Sequence, residues 1–121
     1  MDKREQLQLE VLQELIKYSE KLIPAVSAMI EELRGNEQSD TGEFLNEIIN
    51  GINWEIEVYN QCAPLLSASS SYIDRKAMIT AVTNLGQSLG SGNNQQVATC
   101  LEEDFLPFLN NLTLAAKVVV G

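Results

Sequence analysis

Residues 7–33 read LQLEVLQELIKYSEKLIPAVSAMIEEL. Leu7, Val11, Leu15, Tyr18, Leu22, Val26, Met29 and Leu33 follow one another at steps of four or three. Those steps keep an apolar stripe on one side of an α-helix, whereas a half-buried strand would alternate. Leu12, Ile16, Ile23 and Ile30 widen the stripe on one flank. Pro24 interrupts the hydrogen-bond ladder, but the stripe keeps its phase across it, so the spacing predicts one kinked helix from about Asp2 to Arg34. Gly35-Asn36 supplies the stop.

Three further segments have the same period. Asp40-Thr41-Gly42-Glu43 has the form of a capping box, and it opens a helix from about Thr41 to Leu66. Its main stripe is Leu45, Ile48, Ile49, Ile52, Ile56 and Tyr59. Residues 67–71 are a serine-rich connector, with Ser71 and Asp74 as the best helix-start pair. A third helix from about Tyr72 to Leu89 is expected to bury Met78, Ala81, Val82, Leu85 and Leu89. Gly90-Ser91-Gly92-Asn93 breaks the chain again. The fourth helix starts near Asn94 and carries Val97, Leu101, Phe105, Phe108, Leu112, Ala115 and Val119 across Pro107. No such helix can bury its stripe alone, and the connectors are short. The expectation is one all-α domain over residues 1–121, an antiparallel four-helix bundle with proline-kinked first and last helices. Its core should include Leu15, Leu22, Met29, Ile48, Ile52, Ile56, Met78, Leu85, Leu101, Phe105, Phe108 and Leu112.

Composition narrows the function. Apolar residues make up 45% of the chain, enough for a core without staples. The formal net charge is -9, so a phosphate backbone or an anionic membrane surface is an unfavourable partner. Residues 35–70 hold six acids and no Lys or Arg, which reads as a solvated face or as a docking surface for a basic partner. The start of the chain is charged and no apolar run is long enough for a membrane span, so a cytoplasmic protein with reduced thiols is expected. Cys62 and Cys100 match no zinc or redox spacing.

Several chemistries are missing. There is no histidine, so a Ser-His-Asp or Cys-His nucleophile system and a Glu-x-x-His di-iron site are both out of reach. Gly90-Ser91-Gly92 lacks the Lys-Ser/Thr of a phosphate loop. The carboxylate pairs Glu10/Glu14 and Glu43/Glu47 and the run Glu102-Glu103-Asp104 could hold a hard cation, although on polar helix faces such groups are ordinarily solvated. No catalytic residue, cofactor or metal ligand is assigned, and chelators should leave folding unchanged.

Binding is carried by a second apolar stripe on the Thr41–Leu66 segment. At about 100° per residue, Trp54, Val58 and Leu65 fall roughly opposite Ile48, Ile52 and Ile56, flanked by Gly51 and Cys62. Either a neighbouring helix buries this stripe or it meets a partner, and an aromatic anchor suits the second. Trp54, Val58 and Leu65 with Glu55 are therefore the candidate partner-binding residues, Glu47, Glu55 and Glu57 forming a charged rim. The three prolines, Pro24, Pro64 and Pro107, either bend and end helices or open a groove between them. Val118-Val119-Val120 either completes the last helix or frays.

The run Asn93-Asn94-Gln95-Gln96-Val97-Ala98-Thr99-Cys100-Leu101-Glu102-Glu103-Asp104-Phe105-Leu106-Pro107-Phe108-Leu109 resembles the last helix of small uncharacterised helical proteins from Gram-positive bacteria. In architecture alone, a short acidic helical bundle is similar to the flagellar and type III export chaperones. That resemblance implies binding of a substrate's amphipathic helix. The expected function is a non-enzymatic helical interaction module, chaperone-like or a regulatory adaptor. Its expected partner is a basic protein, an amphipathic helix or a second copy of the chain. The alternative is a small enzyme or a ligand- or metal-binding bundle using carboxylates.

Overall fold

The computed structural model describes residues 2–67 and 73–121. It is an all-α four-helix bundle, with no strand among the described residues. The first two helices are α1 (Lys3–Leu33) and α2 (Thr41–Leu66), followed by α3 (Arg75–Ser91). The fourth rod is built in three parts: α4 (Asn94–Cys100), a π-helical turn (Leu101–Phe105) and α5 (Leu106–Val120).

Helix ends follow local chemistry. The Asp2 side chain accepts from the Glu5 N–H and starts α1. The expected box at Asp40 is not built, since the Asp40 side chain caps nothing. Thr41 is used instead: its Oγ1 accepts from the Gln38 N–H at 2.7 Å and donates to Glu32 Oε1 at 2.8 Å, tying the start of α2 to the end of α1. Asp74 caps α3 by accepting from Ala77 N–H, while Ser71 lies outside the described residues. Gly92 ends α3 at φ +69, with its own N–H on the Leu89 carbonyl and that of Asn93 on the Ser88 carbonyl. This is the Schellman arrangement, and its left-handed residue suits glycine. Asn93 then caps α4 through the Gln96 N–H, so α3 and α4 meet at a two-residue corner.

The prolines have different local solutions. Pro24 sits inside α1, which runs on as one helix. Pro64 stands two residues before the end of α2. Pro107 follows the π-turn, where the Leu106 N–H reaches back to the Leu101 carbonyl. A proline has no N–H to give and its ring crowds the carbonyl four residues earlier, and a wider turn just before it relieves both.

α1 is the hub, packed against α2 on one side and against α4 and α5 on the other, with α2 also touching α5. Leu12, Leu15, Leu22, Val26, Met29 and Leu33 of α1 are buried against Ile48 and Ile52 of α2 and Leu101, Phe105, Leu109 and Leu112 of the fourth rod. Tyr59 and Phe108 meet edge to face at 5.9 Å between α2 and α5. α3 is different. It rests on α4 and the π-turn through Met78, Ala81 and Leu85, without comparable packing on α1, α2 or α5.

These neighbours explain where the stripes shift. Of the expected core, Ile56 is only half-buried, and the other eleven residues are buried. The first half of α1 buries Leu12, Leu15, Ser19 and Leu22, leaving Leu7 and Tyr18 exposed. Val82 and Leu89, expected inside, are exposed because, among the described residues, α3 packs on the fourth rod by its other face.

Candidate functional site

α2 turns a mixed face toward α1. Gly51, Glu55, Val58 and Cys62 recur at steps of four, three and four, and all are buried. Gly51 lets the Tyr18 and Leu22 side chains of α1 pack onto the α2 backbone. A Cβ there would collide with the Tyr18 hydroxyl and stand 3.1 Å from Leu22 Cδ1. One turn on, Ser19 Oγ donates to the Glu55 carboxylate, 2.9 Å from Oε2 and 3.1 Å from Oε1. Toward the helix ends, Gln8 Nε2 donates to the Gln61 carbonyl at 2.9 Å.

This placement corrects half of the expected surface. Val58 and Glu55 are 3% and 0% exposed within the single chain, so they belong to the α1/α2 seam and offer nothing to a partner. Two helices flank α2, and α1 takes the face that the sequence leaves unpartnered. Glu55 is a buried acid and not part of a rim. Its carboxyl is pushed up to about 7 by burial, against the opposing Ser19 hydrogen bond. Trp54 and Leu65 are half-buried at the margin, and Glu47 and Glu57 are exposed.

Beside the seam lies an open groove of about 530 Å³, lined by Glu14, Tyr18, Glu47, Asn50, Gly51 and Trp54. Tyr18 and Trp54 meet edge to face, 5.5 Å between ring centres and 80° between planes. Glu14 and Glu47 make no ion pair. Among the described residues the single one is Arg34–Glu102 at 3.0 Å, which ties the end of α1 to the π-turn. The Tyr18 hydroxyl is pushed above its usual range by burial first, then by the charges of Glu55 and Glu47. The groove therefore combines an aromatic wall, a backbone floor at Gly51 and two lining acids, Glu14 and Glu47. Ser19 and Tyr18 were missed in the sequence, the one because it is polar, the other because it was placed in the core stripe. The signal available was the phase Gly51-Glu55-Val58-Cys62, which puts a carboxyl in line with small apolar residues.

The Cys100 thiol is pushed up to about 12 by burial, with the hydrogen bond and charge of Asp104 adding to it, and burial also raises Cys62. Neither is an activated nucleophile. Among the described residues no three His, Cys, Asp or Glu side chains converge as a metal site would require. No helix there is long and apolar enough to cross a membrane.

Residues 10–114 match the family model described as Domain of unknown function (DUF8042), and the chain belongs to that family. No curated protein matches the chain. No solved structure matches it.

Proposed function

We propose that this chain is a non-enzymatic helical interaction module that docks a basic amphipathic segment of a protein partner in the α1/α2 groove, with Trp54 as the anchor. The observation that carries this reading is the pair of half-buried Trp54 and exposed Tyr18, which lines the groove with Glu14 and Glu47, two acids without ion-pair partners among the described residues. Aromatic rings give an incoming side chain apolar area and a negative π-face, and free carboxylates beside them select for Lys and Arg. α2 carries Glu43, Glu47 and Glu57 at its surface and no Lys or Arg. A chaperone-like or adaptor role fits such a surface, which recognises a helix by its charge and apolar face. The carboxylate-enzyme alternative has less support: its most perturbed acid, Glu55, is sealed in the seam with both oxygens on Ser19.

Trp54 is the only tryptophan, so its fluorescence reports on the groove directly. Titration with a basic amphipathic helical peptide should give a saturable change that weakens as salt is raised. Trp54→Phe with Glu47→Gln should weaken binding measured by calorimetry. An equal response to an acidic peptide of the same apolar pattern would overturn the charge-based reading. So would the absence of any response to both.

A further inference from the structure

α3 presents a second surface that the groove does not use. Arg75, Ile79, Val82, Gly86 and Leu89 recur at steps of four, three, four and three, the spacing of a helix-pairing seam. Ile79 is 52% exposed, Val82 42% and Leu89 37%, and a Cβ built on Gly86 meets nothing within 4 Å. α3 rests on α4 and the π-turn by an adjacent face, so among the described residues no other helix packs on this seam.

The charges point to one occupant. Residues 77–101 contain no charged side chain, in a protein whose net charge is -9. Two copies of so acidic a chain repel over most of their surface, and this is the face on which they meet without that cost. α3 opens on its Asp74 cap followed by Arg75 and Lys76, and its last turn holds no basic residue to meet the negative end of its dipole. An antiparallel second copy supplies that charge, because each Arg75 then lies beside the Gly92-Asn93 end of the other α3. In the same register Ile79 meets Leu89, and Val82 meets Gly86, a branched side chain against a bare backbone. The two pairs share one midpoint, as a two-fold axis requires.

We propose that the Arg75–Ile79–Val82–Gly86–Leu89 face of α3 is a self-association surface on which two copies of this chain pair antiparallel. The site is separate from the Trp54 groove and stands or falls independently of it.

Sedimentation of the full chain from about 1 µM to about 1 mM should follow a monomer–dimer equilibrium within that span of affinities. Ile79→Asp should weaken the dimer at least about tenfold, with an unchanged far-UV circular dichroism spectrum. Gly86→Ala separates pairing from folding. It should raise the melting temperature of the dilute monomer, where the added methyl is unopposed, while weakening the dimer by filling the space opposite Val82. Mixed Ile79→Cys and Leu89→Cys chains should form an intermolecular disulfide, and neither variant should do so alone, the native Cys62 and Cys100 being buried. A chain that stays monomeric throughout overturns the proposal. So does a dimer indifferent to Ile79→Asp and Gly86→Ala. Cross-linking of Ile79→Cys with itself overturns the antiparallel register.

Discussion

α2 and α3 carry apolar stripes that look alike in the sequence and end in opposite places. On α2, the sequence pattern turns Val58 outward with Trp54 and Leu65, yet Val58 is buried. On α3, the pattern turns Val82 and Leu89 inward with Met78 and Leu85, yet both are exposed. The difference is the number of neighbours. α2 lies between α1 and α5, so two of its faces are covered, whereas among the described helices α3 leans on the fourth rod. A helix's own pattern gives the width of its apolar surface. How much of that surface is covered depends on where the chain places the other helices.

The sharpest way to break this comparison is to put one charge on each stripe. Val58→Asp buries a carboxylate in the α1/α2 seam and should cost about 4 kcal/mol or more. Val82→Asp, in dilute monomer, should change stability by no more than about 0.5 kcal/mol. Paired urea titrations measure both, and similar losses would mean that α3 is as enclosed as α2.

Next in size is the acid that α2 already buries. Glu55 titrates near 7 in the folded chain and near 4.5 ordinarily. Between those values the unfolded chain has released its proton and the folded chain still holds it, so stability falls as pH rises from 4.5 to 7 and is level beyond. The full difference is about 3 kcal/mol. Glu55→Gln should remove that slope and be the more stable protein at pH 8, by about 2 kcal/mol. Subtracting the two pH profiles isolates Glu55 from the surface acids. A flat difference would show that its carboxyl is hydrated in the folded state.

The two mid-helix glycines give the smallest contrast. Gly51→Ala drives a methyl into Tyr18 and should cost about 1 kcal/mol, after the gain in helix propensity is counted. Gly86→Ala meets open space and should stabilise the monomer by about 0.5–1 kcal/mol. Opposite shifts in thermal melts of dilute protein would confirm that one glycine is a contact and the other a vacancy on the monomer surface. Shifts of one sign would remove the distinction.

Local signals made the helices legible. The Thr41–Leu66 boundaries follow from a polar loop before and a proline and serines after, and the break at Gly92-Asn93 follows from backbone chemistry. The candidate site was legible only as an aromatic on an acidic helix. Trp54 and Glu47 were visible because they are exceptional in their surroundings. Tyr18 and Ser19 were not, because their importance lies in what stands opposite them on α2, and pairing between helices leaves no mark in a single helix's periodicity. Glu55 misled for the same reason. A carboxylate next to a tryptophan resembles a rim until the serine that faces it is known.

The π-turn sets a length requirement on the chain. Val97, Leu101, Phe105, Leu109, Leu112 and Ala116 are all buried along the fourth rod. In an unbroken α-helix, the advance from Val97 to Ala116 would overshoot five turns by about 100°. The turn at Leu101–Phe105 takes in one residue more than an α-turn and cancels the excess, so both ends of the rod face the same side. Glu102, Glu103 and Asp104 are all exposed, Glu102 in its pair with Arg34. Deleting any one of them would leave a more regular helix and yet swing Leu109 and Leu112 away by about a quarter turn. The phase of the rod sets the number of residues in this stretch, while burial of Leu101 and Phe105 and the Arg34–Glu102 pair constrain three of its side chains.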